Sequence, residues 1–382
     1  MKKSLLALAT LGAFAGAAQA QSSVSVYGIL DTGISAAKAT TTTNGVAVNN
    51  NATQTGAESS QTTSRLGFRG VEDLGGGTSA LFVLETGIGA SGTGFGDAQA
   101  ATMFTNRVSY IGLSDKSKGT VHLGRQYQSL HAVIGAGSAG GQNNVVGAVY
   151  SSALLGTASS ISQTRPYAVN IDNAITYVTP NMSGLTLEIQ TGQTRSNTAG
   201  ATATSSTTAA TETGGSLRYT GVKNLFVGYA YSAKNTVVAD TSNVKITAQA
   251  LSANYNFGIV QGFFLGTNTK VDDIKNNINF SDMRQYEFGV KAPISKTIST
   301  FASLYTGNIK SGSDTAVLTT YNFTAAQAHS DLTGFQLGAQ YDLSKRTNFY
   351  AIYGQASIKG KSAATNDKLA SNQYALGLRH TF

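Results

Sequence analysis

The last nine residues of the chain, YALGLRHTF (374–382), alternate between two kinds of side chain. Tyr374, Leu376 and Leu378 share one parity with the terminal aromatic residue, whereas Arg379 and small residues take the other parity. A period of two residues is the signature of a β-strand with one apolar and one polar face. We therefore expect the chain to end in a strand that stops at an aromatic residue, and not in a disordered tail.

The same period recurs along the chain in further runs. Each run is about ten residues long, which is enough for a tilted strand to cross a hydrocarbon layer of about 30 Å. In two segments, 297–305 and 346–353, both parities carry large apolar residues, so their faces cannot be assigned from the pattern. The clearest alternating runs are 185–191, 251–257, 285–291 and 335–341.

The connections between these runs alternate between short and long. Seven short and eight long connections predict sixteen strands, with short turns at one end and long loops at the other. This layout is typical of an outer-membrane β-barrel. The short connections are 70–78, 114–119, 179–184, 219–224, 256–261, 292–297 and 341–347. The long ones are 36–63, 90–103, 127–171, 194–212, 234–244, 271–281, 309–331 and 360–370.

A sheet that crosses a membrane must close on itself, because lipid offers no hydrogen-bond partner to the backbone of a free edge. We therefore expect 374–382 to pair with the first strand, SVSVYGILDTGI (23–34). The alternative is a soluble β-sandwich or β-solenoid, which predicts loops of similar length at both ends. It also gives no reason for 17 Tyr and 16 Phe with no Trp, whereas an aromatic girdle at the membrane interface does.

The N-terminal segment has the layout of an export signal. MKK (1–3) is basic, an apolar run follows, and AQA (18–20) forms an A-x-A cleavage site. This predicts a signal peptide over 1–20 and a single barrel domain over 21–382. A membrane helix is disfavoured there, because the apolar run is short and polar residues follow it. The chain has no cysteine, so we expect an exported protein that holds together without disulfides.

The charge pattern argues against a polyanionic partner. The net charge is +8, but the basic residues are scattered singly along the alternating segments. A nucleic-acid-binding protein of this basicity clusters its Lys and Arg residues. We therefore interpret the excess charge as a field in a lumen or on a surface, and expect no nucleic-acid partner.

Several stretches at both ends and in the middle of the chain carry a specific combination of motifs. They are SVSVYGILDTGI (23–34), SRLGFRGVEDLGGGTSALFVLE (64–85), NRVSYIGLSDKSKGTVHLGRQY (106–127), NAITYVTPNMSGL (173–185), YDLSKRTNFYAIYG (341–354) and GLRHTF (377–382). Together they resemble the general porins of beta-proteobacteria, as found in Neisseria and Burkholderia relatives. The resemblance implies an all-β, 16-stranded antiparallel barrel with short periplasmic turns, long extracellular loops and an inward-folded third loop.

The same resemblance implies partners and a function. It implies a homotrimer in the outer membrane, in contact with lipid and lipopolysaccharide, that passes small hydrophilic solutes and ions by passive diffusion. It also implies that the terminal aromatic residue, Phe382, is a signal read by the barrel-insertion machinery. Such a channel does no bond chemistry, and its selectivity comes from pore width and fixed charge at a narrow place.

Strand parity indicates which arginines face the water inside. On the second strand Leu66 and Phe68 are expected to face lipid, so Arg65 and Arg69 face the lumen. By the resemblance, Arg65 matches a position in a basic ladder along the barrel wall. The alternative for each arginine is an ordinary role, either pairing with a carboxylate or covering a turn.

The fourth strand contains a further candidate arginine. Phe104, Val108 and Tyr110 are expected to face lipid there, which turns Arg107 inward. By the resemblance, Arg107 also belongs to the basic ladder. Arg125 shares the lipid-facing parity of its strand, so we place it at the strand's end and keep it as a candidate for the constriction.

The third loop, 127–171, is the segment expected to narrow the pore. It contains Arg165, the last candidate for the constriction, but no Asp or Glu, whereas many general porins carry carboxylates there. Without an opposing acidic wall the field should be positive, which predicts a mild anion preference. A carboxylate near the narrow place would weaken it, and the candidate acids in the lumen are Asp31, Glu85 and Glu188.

Two patterns imitate ligand sites. GAGSAG (135–140) fits the glycine spacing of a dinucleotide-binding loop, but no helix and no suitably spaced acidic residue follow it. Asp272, Asp273 and Asp282 occur in one long loop, but their spacing fits no tight Ca²⁺ pattern. We therefore expect no cofactor and no metal, and no enzymatic activity.

Two other functions remain open from the sequence. A barrel hydrolase would need a nucleophile next to one of the four histidines, and no nucleophile motif surrounds any of them. A surface adhesin would work through the Ala/Thr/Ser-rich loops 36–63 and 194–212, which lack the large apolar anchors of a binding surface. Both are weaker interpretations than a diffusion channel.

Overall fold

The computed structural model describes residues 23–43, 45–58, 60–88, 105–150, 169–198, 206–238, 242–311, 329–360 and 368–382. Within these ranges the chain forms seventeen strands and one helix. The elements are β1 (Ser23–Thr43), β2 (Val46–Glu58), β3 (Arg65–Gly75), β4 (Thr78–Gly87), β5 (Thr105–Asp115), β6 (Gly119–Tyr127), α1 (Ser129–Ala136), β7 (Asn170–Val178), β8 (Leu185–Thr198), β9 (Ser206–Tyr219), β10 (Leu225–Val238), β11 (Ser242–Asn256), β12 (Gln261–Asp273), β13 (Ile278–Pro293), β14 (Ile298–Ser311), β15 (His329–Asp342), β16 (Thr347–Gly360) and β17 (Lys368–Thr381).

All the strands belong to one antiparallel sheet that closes between β1 and β17. The closing register runs from Ile29 opposite Thr381 to Thr42 opposite Lys368. At the chain end, Gly28 and Phe382 exchange two backbone hydrogen bonds of 3.1 Å each. The predicted pairing of the last strand with the first is therefore confirmed, and the closed sheet has no free edge that lipid would have to solvate.

Seventeen strands occupy sixteen positions around the barrel. β2 and β3 both pair with β1, β2 along its upper half and β3 along Ser23–Ile29, so together they form the second barrel strand. The break between them is held by Asp31, whose carboxylate accepts hydrogen bonds from the backbone N–H groups of Gln61 (2.8 Å) and Thr62 (2.6 Å). The predicted sixteen-stranded barrel is confirmed, with one interrupted strand.

The seven short turns lie where the sequence predicts them, at one end of the barrel. The turn after β3 uses Gly75, Gly76 and Gly77, all with positive φ, a conformation that favours glycine. The long connections are shorter than expected, because the strands continue into them. Segment 36–63 was predicted as a loop and instead forms the upper part of β1 and all of β2, and β8 and β9 extend into 194–212.

The outer surface of the barrel is apolar, as a lipid-facing surface requires. Leu304 on β14 is 68% exposed, whereas its neighbour Tyr305 is 3% exposed and faces inward. The same contrast assigns the two faces of segments 297–305 and 346–353, which carry apolar residues on both parities. Their inward apolar residues are covered by other protein residues inside the barrel. Phe301 and Tyr350 pack around Val145 of the third loop, which is why these strands need no polar inner face.

The third loop folds into the barrel, as the resemblance implied. It begins with α1, which packs on the inner wall of β8–β11, and continues along the wall to Tyr150. The largest group of buried apolar residues joins Leu130, Val133 and Ile134 of α1 to wall residues such as Leu265 and Tyr305. No helix within the described residues is long and apolar enough to cross a membrane.

Candidate pore constriction

A cluster of two arginines, one carboxylate and two tyrosines lies on the inner wall formed by β1 and β3–β6. Arg107 Nε is 2.9 Å from Glu85 Oε1, and Arg65 Nη1 is 3.7 Å from the same oxygen. The Tyr127 hydroxyl accepts a hydrogen bond from Arg107 Nη2 (2.7 Å) and donates one to Glu85 (3.0 Å). Tyr27 donates a further hydrogen bond to Glu85, at 3.1 Å. We call these five residues the arginine wall.

The strand register explains why these side chains meet. Glu85 on β4 lies opposite Gly67 of β3 and Val108 of β5, so it stands between the two arginine-bearing strands. Gly67 leaves the space that the Tyr27 ring fills, since a Cβ at this position would overlap that ring. The arginine wall is thus built from five neighbouring strands, with Tyr127 at the end of β6.

Exposure decides the sign of the field at the arginine wall. The side chains of Arg65 and Arg107 are each 20% exposed, whereas that of Glu85 is 6% exposed. The carboxylate therefore lies beneath the guanidinium groups, and the lumen water meets positive charge first. Two arginines and one carboxylate also leave a formal excess of one positive charge.

Arg107 reaches the lumen for a different reason than the sequence suggested. The expectation that Val108 and Tyr110 face lipid is wrong: Val108 is 4% exposed and the Tyr110 ring contacts the ring of His122, whereas Ile111, at 60% exposure, faces outward. A β-bulge opposite Glu85 and Thr86 adds one residue to β5 and changes the parity beside Arg107. Phe104 lies outside the described residues.

The other candidate arginines occupy different places. The Arg69 guanidinium lies 5.4 Å from the centre of the Tyr27 ring, so it adjoins the arginine wall and extends its positive charge. Arg125 is at the end of β6, as expected, but it forms an ion pair with Asp172 and donates a hydrogen bond to the backbone of Asn106 instead of joining the wall. Arg165 lies outside the described residues.

The third loop is fixed to the inner wall by polar side chains at several points. Ser129 at the start of α1 donates a hydrogen bond to Gln190 (2.8 Å). Farther along, Asn143 and Gln336 are joined by two side-chain hydrogen bonds, of 2.9 and 3.1 Å. Gln373 accepts a hydrogen bond from the backbone of Val146 at 3.2 Å. The described first part of the loop, up to Tyr150, therefore has a defined course along the wall of β8–β17.

Glu287 holds two separate parts of this loop. Its carboxylate accepts hydrogen bonds from Ser138 Oγ (2.7 Å) and from the backbone N–H of Val149 (2.9 Å), and the residue is fully buried. Sequence reasoning missed Glu287, because alternation marks it only as an inward position on β13. Its partners could be identified only from the course of the loop.

The remaining candidate acids do not face open water. Asp31 is fully buried and serves the break in the second barrel strand, where Tyr350 also donates a hydrogen bond to it (2.6 Å). Glu188 is paired with Arg218 at 2.9 Å. Glu85 is the one acid of the predicted three that belongs to the arginine wall, where its carboxylate pairs with Arg65 and Arg107.

The two patterns that imitate ligand sites have structural roles. GAGSAG (135–140) lies at the C-terminal end of α1, and Gly137 packs against the wall near Ser252 and Leu265. Asp273 accepts hydrogen bonds from the backbone of Lys275 (3.0 Å) in its own turn and of Asn243 (3.3 Å) on β11, so it stabilises the turn and connects it to the neighbouring strand. Within the described part of the chain, no three His, Asp or Glu residues are grouped as metal ligands.

Comparisons with known proteins agree with this architecture. The Gram-negative porin family model matches residues 6–361. An outer membrane porin protein of Bordetella pertussis is 32% identical over 426 residues, covering 100% of both chains. Outer membrane porin protein 32 of Delftia acidovorans is 32% identical, covering 99% of this chain and 95% of its own.

Solved structures show the same fold. The anion-selective porin from Comamonas acidovorans superposes with a TM-score of 0.65 at 23% identity, covering 95% of this chain and 100% of the other. OmpT of Vibrio cholerae, in a trimer form, superposes with a TM-score of 0.58 at 13% identity, over 94% and 99% of the two chains. Fold and family point to a channel and not to an enzyme. The chain belongs to the Gram-negative porin family and is a passive diffusion channel of the outer membrane.

Proposed function

We propose that this channel passes small hydrophilic solutes with a mild preference for anions, set at the arginine wall. The observation that carries the proposal is the difference in exposure between the guanidinium groups of Arg65 and Arg107 and the carboxylate of Glu85. Arg69 adds positive charge next to them. The related fold of an anion-selective porin supports the proposal.

The preference is mild for a physical reason. Fixed charges act on ions in the lumen through water, where a pair of unit charges 4 Å apart interacts by about 1 kcal/mol and salt screens the interaction further. Glu85 cancels part of the arginine charge, so the wall biases the ion flux but does not exclude cations. The described part of the third loop, up to Tyr150, contributes no carboxylate that would oppose the wall.

The test is the zero-current potential of the purified protein in a planar bilayer separating two KCl solutions of different concentration. We expect the sign that corresponds to chloride permeating faster than potassium. A clearly cation-selective wild-type channel would contradict the proposal, and an unselective one would mean that Glu85 neutralises the wall completely. Arg165 and Arg125 remain candidate contributors, and their Gln variants belong in the same series.

We further propose that the channel is a homotrimer whose mature chain starts after a signal peptide over 1–20. Solved neighbours of the same fold include a trimer form, and the outward apolar surface suits contact with lipid, lipopolysaccharide and other copies. Conductance steps that appear in groups of three would support the trimer. We also propose that Phe382 is read by the barrel-insertion machinery, since it ends the closing strand at the short-turn end.

A further inference from the structure

A polar cavity of about 220 Å³ lies apart from the arginine wall, beside the ends of β6 and β7. Two cations and two carboxylates line it, together with neutral polar residues. The charged lining residues are Arg125, Asp172, Glu212 and Lys234, and the other lining residues include Asn170 and Gln193. None of the four charged residues belongs to the arginine wall.

Strand register places Glu212 and Lys234 on the inner face of the barrel. They lie directly opposite each other on β9 and β10. Ala230, on the same face of β10 as Lys234, is fully buried in the apolar group that contains α1, and α1 is inside the barrel. Both side chains therefore project toward the lumen.

The cavity lies on the extracellular side of α1. The helix contacts the wall near Gln190 and Ala230, closer to the short-turn ends of β8 and β10. The cavity is lined by Gly192, Glu212 and Lys234, which are farther from those turns along the same strands. Short turns are periplasmic in barrels of this type, so a solute that enters from outside meets the cavity before it reaches α1.

Glu212 is the residue that points to a ligand. It is 7% exposed, and within the described residues its carboxylate has one side-chain hydrogen bond, a long one of 3.4 Å from Ser232 Oγ, and no ion pair. Lys234, directly opposite, acts on it as a nearby positive charge but lies beyond ion-pair distance. A nearly buried carboxylate needs strong donors to offset its lost hydration, and the cavity is where such donors could come from.

The charges are arranged in a row across neighbouring strands. Asp172 forms an ion pair with Arg125. Gly192 stands opposite Glu212 in the β8–β9 register, and the missing side chain lets the backbone of Asp172 approach closely, so that the β7 segment with Asp172 and the Glu212 carboxylate border the same cavity. At the far end Lys234 offers an ammonium group with no ion pair among the described residues. The row thus offers both signs of charge to one small molecule and has no net formal charge.

We propose that this cavity binds small zwitterions of the α-amino-acid type. The ammonium group of the solute lies against Glu212 and the solute carboxylate against Lys234. Asn170, Gln193 and Thr194 supply neutral hydrogen-bonding groups at the border. The site concentrates such solutes on the extracellular side of α1. This proposal rests on the proposed function only in that solutes cross the membrane through the lumen, and it does not depend on the proposed anion preference.

Three matched solutes test the site in the purified, detergent-solubilised channel, with saturation-transfer NMR as the binding measurement. L-Glutamine carries both charges, N-acetyl-L-glutamine has lost the cation, and L-glutamine amide has lost the carboxylate. A charge-assisted hydrogen bond is worth roughly a tenfold change in affinity or more. We therefore expect glutamine to bind about tenfold more tightly than either analogue.

Two variants separate the two contacts. Glu212→Gln should remove the preference for glutamine over N-acetyl-L-glutamine and keep its preference over the amide. Lys234→Met should do the opposite. Lys291→Met, which removes a lysine outside the cavity lining, should change neither preference. Migration of the unheated protein on an SDS gel establishes that each variant is a folded barrel.

Two results would overturn the proposal. In the first, all three solutes bind equally well to the wild-type channel, or both variants keep its preferences. In the second, N-acetyl-L-glutamine binds most tightly and Arg107→Gln abolishes this binding. That result would assign the affinity to the arginine wall, and so reject the zwitterion site while leaving the anion preference intact.

Discussion

The sharpest test of the arginine wall is a pair of substitutions with opposite effects. Glu85→Gln removes the negative charge and raises the formal charge of Arg65, Arg107 and Glu85 from one to two positive charges. Arg107→Gln lowers it from one to zero. Tyr127 forms hydrogen bonds with both Arg107 and Glu85, and the side-chain amide of each replacement can still hydrogen-bond to it. Any change in selectivity should therefore follow charge and not pore width.

The magnitude follows from Coulomb's law. A unit charge about 6 Å from a monovalent ion changes its energy by about 0.7 kcal/mol in water, and screening at 0.1 M salt reduces this to about 0.4 kcal/mol. That energy corresponds to about a twofold change in local ion concentration, of opposite sign for anions and cations. The permeability ratio of chloride to potassium should thus change by about fourfold, upward for Glu85→Gln and downward for Arg107→Gln.

The assay is the zero-current potential in a planar bilayer across a KCl gradient, repeated at high salt. Raising the salt to 1 M should nearly abolish both shifts, because the screening length falls to about 3 Å. Arg346→Gln is the matched control: it removes one positive charge at the exposed turn between β15 and β16 and should leave the ratio unchanged. Shifts in the same direction for both wall variants, or none in either, would refute the assignment of selectivity to this wall.

Three further predictions concern the folding of the barrel, its third loop and its export. Gly28→Val should reduce the yield of folded barrel on unheated SDS gels, because its side chain would overlap the Phe382 ring and the backbone of the neighbouring strand. Gly262→Ala should not, because its Cβ would make only an ordinary contact with the Phe257 ring. Gly354→Ala should alter single-channel conductance, because its Cβ would meet the Val146 carbonyl and push the third loop from the wall; unchanged conductance would contradict that account. Mass spectrometry of the exported protein should give a chain that begins at Gln21, and an uncleaved N-terminus would refute the signal peptide.

Much of the architecture could be predicted because each pattern that specifies it lies within a short stretch of the sequence. Alternation over 374–382 and its counterparts specifies which side chains face lipid, and the alternation of short and long connections specifies the number of strands. The closing pair follows from the requirement that no edge be left in lipid. Arg65 could be assigned to the lumen by the same parity argument, because β3 keeps its register from Arg65 to Asp73.

Other features of the site could not be predicted, because they depend on which distant segments meet. The inward position of Arg107 results from a bulge that the parity argument could not detect. The parity argument therefore directed Arg107 inward correctly but assigned Val108 and Tyr110 to the lipid face wrongly. The inward apolar residues of β14 and β16 looked contradictory, since their partner is the third loop and not lipid. Glu85 was one of three candidate acids until the register placed it between two arginines.

The sequence by itself determined a closed sixteen-stranded barrel with a polar lumen. Periodicity and loop length can be read from the chain directly, and the cost of unpaired backbone in lipid then requires the sheet to close. Only the tertiary structure decided the chemistry of the lumen: which carboxylate lies beneath the guanidinium groups, where the third loop lies, and which charged side chains share a cavity. The physical reason is that a hydrophobic face is a property of one strand, whereas an electric field is a property of the charges that several strands and a loop bring together.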